Sequence, residues 1–152
     1  MRSRNSVGYS IYSSTFTIQA ATITSQPTAP TTTVITEYEI GISWSVPSDL
    51  GGVQIGGYKL EIKTASGNFA QDFTNCNAMS ETTIINSRSC SIPTTVLRAL
   101  PYNLADEAPI FARVTAINVI GDSTVSTEGS GVLMPIADVE PDAPTTFVRN
   151  DA

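Results

Sequence analysis

The sequence predicts an all-β protein, an antiparallel β-sandwich. Three observations carry this. Apolar residues alternate with a period of two, turn residues punctuate the alternating runs, and no window of about 11 residues holds a clean helical stripe. Frequent Thr and Ser favour strands and polar loops over helices.

The elements follow in chain order. In EIGISWSV, Ile40, Ile42, Trp44 and Val46 fall on one face, with Glu39, Gly41, Ser43 and Ser45 on the other. In YKLEIK, Tyr58, Leu60 and Ile62 oppose Lys59, Glu61 and Lys63. In IFARVTA, Ile110, Ala112, Val114 and Ala116 oppose Phe111, Arg113 and Thr115. Such alternation marks strands with one buried and one wet face. PSDLGGVQIGG, ASGN and NVIGDS read as the intervening turns.

Composition excludes several classes. The 152 residues carry 8 Lys and Arg against 14 Asp and Glu, a net charge of −6, with no His. The basic residues are scattered, so no nucleic-acid partner is expected. No apolar run approaches a membrane span, so no direct membrane insertion by these residues is expected. The first residues, MRSRNSVGYSIYSSTF, contain no secretory apolar region.

Cys76 and Cys90 flank a polar stretch, and two readings stay open. One is a disulfide, stabilising by roughly 3 kcal/mol in the chain-entropy model and implying an oxidising compartment. The other is two free thiols buried as small hydrophobes. Zinc is not expected from two Cys without His.

The chain also repeats itself. Asn5, Gly8 and Ser10 recur 113 positions later as Asn118, Gly121 and Ser123. PTAPTTTV at 27–34 recurs as PDAPTTFV at 141–148, displaced by 114. A period of this size is the signature of a module array. The expected division is residues 1–25 as the tail of a preceding module, 26–138 as a complete module and 139–152 as a linker and first strand of a following one. On this division, residues 1–24 add little to stability.

ISWSVPSDLGGVQIGGYKLEI, LADEAPIFARVTAINVIGDS and PDAP together resemble the fibronectin type III family. The resemblance covers roughly residues 27–135. It implies a Greek-key sandwich of about seven strands, immunoglobulin-like, whose strands are lettered A to G. Trp44, Tyr58, Leu60, Leu104, Ile110, Val114 and Ala116 would be core positions, with Leu104 in the EF loop. Asn118, Gly121 and Ser123 would form the FG turn. Two departures stand out. Ile110 occupies the usual corner-tyrosine position, a loss of about 1 kcal/mol. A long cysteine-bearing insertion, including CSIPTTVLRALPYNL, precedes strand E. In this the chain is similar to modules of long repeat proteins of ciliate protists.

Chemistry is sparse. Without His, no Ser-His or Cys-His nucleophile pair exists. GSG at 129–131 lacks the strand-to-helix context of a nucleophile elbow, and Asp106 with Glu107 is the only close carboxylate pair offered for acid–base work. The glycines of GGVQIGG read as suppliers of positive φ in the BC loop rather than an anion nest, with Asp49 forming an Asx-type turn. Asp49 and Asp122 are the candidate binding-loop residues, Asp122 from the IGD of the FG turn. Asp138, Glu140 and Asp142 offer oxygen ligands to calcium, against a solvated acidic linker. Tyr9, Tyr12 and Phe16 would belong to the last strand of the preceding module. No Asn-x-Ser/Thr acceptor occurs, and the Thr-rich stretch at 22–36 admits O-glycosylation.

The expectation is a non-catalytic module without cofactor or small-molecule ligand, part of a larger extracellular or cell-surface, membrane-associated protein. Its partners would be other proteins or neighbouring modules. Adhesion or protein recognition is one role. A spacer setting length and stiffness is the alternative, and a linker module of a carbohydrate-active enzyme is a third.

Overall fold

Alternating apolar residues on three long strands leave only one way to hide them, sheet against sheet. A computed structural model describes residues 1–14, 20–129 and 131–137. One sheet holds β1 (Thr31–Thr36), β2 (Glu39–Ser43) and β5 (Ser89–Pro93) in the order β1-β2-β5. The other holds β3 (Ile55–Lys63), β4 (Phe69–Ala70), β7 (Ala112–Asn118) and β8 (Gly121–Asp122) in the order β4-β3-β7-β8. A third pairing joins β6 (Pro109–Ile110) to β9 (Val132–Leu133). All pairings are antiparallel. β6 and β7 are successive parts of one chain path, and so are β8 and β9, which gives seven passes of a sandwich.

Register places the core. β2 pairs Ile40 with Ile92 and Ile42 with Cys90, while β3 pairs Tyr58 with Ala116 and Leu60 with Val114. The inward side chains of both sheets join Trp44, Leu97, Leu104, Ile110 and Met134 in one buried cluster. Each fully buried large aliphatic there is worth roughly 1.5–3 kcal/mol. Trp44 meets Tyr58 edge to face at 5.5 Å. The outer face of the four-stranded sheet is charged and paired: Lys59 with Asp122, Lys63 with Glu128 and Arg113 with Glu61, each at 3.0 Å.

Thr32 knots the sandwich. Its hydroxyl donates to the Ile110 carbonyl and accepts from the Val132 amide, at 3.2 and 3.0 Å. After β8 the chain keeps contact with β7 at every third residue, through Ser123, Ser126 and Gly129 amides on the Ala116, Val114 and Ala112 carbonyls. The Ser123 and Ser126 hydroxyls accept the Ala116 and Val114 amides, both at 3.0 Å. Serine oxygens thus take the places where a regular ladder would supply carbonyls.

Two expectations are corrected. Val46 is exposed: the Trp44 amide donates to the Arg88 carbonyl, and the chain then turns away into the Pro47 loop. The insertion before strand E is shorter than expected, because CSIP is itself strand β5, followed directly by helix α2 (Thr94–Arg98). The inserted part carries helix α1 (Thr82–Ser87). At six and five residues, both helices are too short to leave a periodic stripe.

Residues 1–14 form a second hairpin that repeats the turn between β7 and β8. Asn5 Oδ1 accepts the Val7 and Gly8 amides at 2.9 and 3.1 Å, as Asn118 Oδ1 accepts those of Ile120 and Gly121 at 2.9 and 3.1 Å. Gly8 and Gly121 sit at φ +151° and +152°, a region that favours glycine. The Ser10 amide bonds the Ser3 carbonyl, and Ser13 that of Met1, at the positions of Ser123 on Ala116 and Ser126 on Val114. The Ser3 amide donates to Ser10 Oγ at 3.0 Å, as Ala116 does to Ser123 Oγ at 3.0 Å. Tyr9 and Tyr12 are exposed, with the Arg2 guanidinium 4.0 and 5.0 Å from their rings.

Candidate functional site

The loop between β2 and β3 is shaped by Asp49. Its Oδ1 accepts the Gly51 amide at 2.9 Å, an Asx-type turn. Gly51 and Gly52 follow at φ +72° and +76°. The bare Gly51 backbone admits a second strand of chain: a Cβ there would lie 2.1 Å from the Thr22 carbonyl oxygen. Through this opening run residues 20–25, an incoming strap.

The strap is tied at several points. The Thr22 amide donates to the Gly51 carbonyl and the Ser25 amide to the Asp49 carbonyl, each at 2.9 Å. Ser25 Oγ accepts the Asp49 amide at 3.0 Å. Asn118 Nδ2 donates to the Thr22 carbonyl at 2.7 Å and to that of Leu50 at 3.3 Å. With its Oδ1 holding the FG turn, buried Asn118 joins that turn, the BC loop and the strap. Gln26 Nε2 reaches the Val125 carbonyl at 2.7 Å. Thr24 is buried. Within residues 1–24, expected to add little to stability, residues 20–24 lie in the domain's own hydrogen-bond network.

The outgoing chain is held at a second clamp. The Glu107 amide donates to the Met134 carbonyl at 3.0 Å, and the Met134 amide to that of Ala108 at 2.9 Å. Arg98, the last residue of α2, donates to Asp106 Oδ1 at 2.7 Å and to the Pro135 carbonyl. Asp106 Oδ1 also accepts the Ala137 amide at 3.1 Å. The hydrogen bond from Arg98 is the main reason the Asp106 carboxyl sits below its ordinary pKa, and the Ala137 amide adds to it. Asp106 is thus occupied as a structural acceptor, holding Arg98 and the Ala137 amide.

The other sequence-derived residues fall as follows. Trp44, Tyr58, Leu60, Leu104, Ile110, Val114 and Ala116 are all buried. Cys76 and Cys90 are disulfide-bonded, Cα to Cα 5.4 Å. The bridge ties the insertion to β5, and the insertion covers the edge of β3, where the Tyr58 amide donates to the Ala78 carbonyl at 2.8 Å. Asp122 pairs with Lys59 on the sheet face rather than pointing alone into solvent. Among the described residues, no group of three or more His, Cys, Asp or Glu could hold a metal ion, and no helix is long and apolar enough to cross a membrane. Phe16, Ser130 of GSG, the acidic cluster Asp138, Glu140 and Asp142, and the second Pro-x-Ala-Pro stretch lie outside the described residues.

Arg98, Ser25 and Thr22 were not singled out by sequence reasoning. The available signal was the Gly51–Gly52 pair after Asp49, which marks a close backbone approach without saying which segment approaches.

No family model matches the chain, and no curated protein sequence matches it. Solved structures do. A titin module from human cardiac muscle is 22% identical with a TM-score of 0.52, over 79% of this chain and 100% of that one. The twitchin kinase region from C. elegans is 19% identical with a TM-score of 0.55, over 80% of this chain and 18% of that one. A human FNIII domain is 18% identical with a TM-score of 0.50, over 94% of this chain and 100% of that one. The chain spans 33% of a three-domain titin segment and 17% of the titin kinase with its flanking domains. At these identities the likeness is one of fold.

Proposed function

We propose that this fibronectin type III-like sandwich is a non-catalytic module of a tandem-repeat protein and serves as a spacer that sets length and direction. One observation carries the reading: the chain is hydrogen-bonded to the module both where it arrives, at Thr22 and Ser25, and where it leaves, at Pro135 and Ala137. The BC loop and FG turn, the natural recognition surfaces of such a sandwich, are engaged by the chain's own strap. The hydrogen-bonded correspondence between residues 1–14 and the FG hairpin supports reading those residues as the end of a preceding module. The Cys76–Cys90 bridge supports an oxidising, extracellular setting.

Backbone ¹⁵N relaxation on the full chain tests the spacer. Thr22, Ser25 and Ala137 amides should show order parameters near the ~0.85 of rigid backbone, matching β7. Values below about 0.6 at both clamps would remove the basis for a stiff spacer.

A second role, recognition of another protein, is favoured by one feature. Val119 and Ile120 stand exposed at the FG tip, at 82% and 51% of full accessibility.

A further inference from the structure

The incoming strap and the outgoing segment are two views of one kind of linker, and their free and bonded backbone groups are complementary. The hairpin correspondence runs at 113 through Ser13 and Ser126, whereas Pro27, Ala29 and Pro30 match Pro141, Ala143 and Pro144 at 114. One residue is therefore gained in between. At 113, Thr22 would correspond to Pro135, which has no N–H to give and whose carbonyl Arg98 already holds. At 114, Ala21, Thr22 and Ile23 correspond to Pro135, Ile136 and Ala137.

In that register the pattern interlocks. In the incoming strap, the Thr22 N–H and C=O are bonded to Gly51 and Asn118, while the Ala21 carbonyl and Ile23 amide make no hydrogen bond among the described residues. In the outgoing segment, the Pro135 carbonyl and Ala137 amide are bonded to Arg98 and Asp106, while the Ile136 N–H and C=O make none among the described residues. In extended chain, one residue's N–H and C=O point to one side and its neighbours' to the other. A single linker therefore has one edge for each of two modules.

We infer that successive modules share one linker. The Arg98–Asp106 clamp of the first takes the Pro135 carbonyl and Ala137 amide. The Gly51–Asn118 clamp of the next, a second copy of this kind of module, takes the N–H and C=O of Ile136. No linker residue at the junction is then left free, and adjoining modules abut in a fixed orientation. This inference rests on the tandem-spacer reading.

The test fuses two copies of the chain in the repeat register, with Ala137 of the first followed directly by Thr24 of the second. Hydrogen exchange and ¹⁵N relaxation are compared with those of the single full chain. Exchange of the Ile136 amide should slow at least ~10-fold in the fusion, and the copies should tumble as one body. Ile136→Pro removes that N–H without touching either clamp. It should free the second copy from the first while both stay folded, and it should leave the single chain's stability unchanged. If Ile136 exchanges at its single-chain rate while the copies keep a fixed orientation, the shared linker is wrong and the spacer stands. If the copies tumble independently, both readings fall.

Discussion

Tyr102 shows how a residue can be both essential to packing and wrong in one atom. Its side chain is buried, yet its hydroxyl has no hydrogen-bond partner among the described residues. A buried hydroxyl without a partner costs stability. Tyr102→Phe should therefore leave stability unchanged or raise it by up to about 1 kcal/mol, measured by denaturant unfolding. A loss above that size would show that the hydroxyl is satisfied in solution. Burial, with the nearby Asp72 charge, pushes the Tyr102 phenol up to about 12. A raised folded pKa gives stability that is full below the unfolded value near 10 and lost as pH rises through the folded one. Unfolding between about pH 10 and 12 should show that decline, reduced in the Phe variant, with Tyr58, also raised by burial, supplying the rest. The sequence identified the core because alternation reports burial directly. It was silent on Tyr102, since nothing local to PYNL says which way the ring faces.

Among the elements, the strands were legible and their edges were not. β2, β3 and β7 stand out because each buries one face. The last strand does not, because its contacts fall at every third residue and rely on Ser123 and Ser126 oxygens. The strap was invisible for a similar reason. Apart from Ile23, residues 20–25 carry small or polar side chains, and what holds them is mostly backbone meeting the backbone of Gly51 and Asp49. Two deletions separate the hairpin from the strap. Removing residues 1–14 should change unfolding stability by no more than about 0.5 kcal/mol. Removing residues 1–26 should cost about 2–3 kcal/mol, since Gly51, Asp49 and buried Asn118 lose their partners. Equal losses from the two deletions would mean that the hairpin, not the strap, supports the sandwich.

At the scale of the whole molecule, the disulfide joins a helix-bearing insertion to β5 across a separation of 14 residues. Reduction should lower stability by about 3 kcal/mol, read from guanidinium unfolding with and without a non-thiol reductant. A loss under about 1 kcal/mol would mean that the insertion is held by its packing on β3 alone. In the proposed array the repeat would place the modules in sequence, and the clamps would supply what sequence does not, the direction in which the chain enters and leaves. Gly51 would also have a meaning along the proposed array. Any side chain at that position would push the strap off its seat at the junction before that module only. The remaining junctions would be untouched. A hinge can therefore be written into such a rod at a chosen point by one codon, and where the rod bends becomes a property read copy by copy.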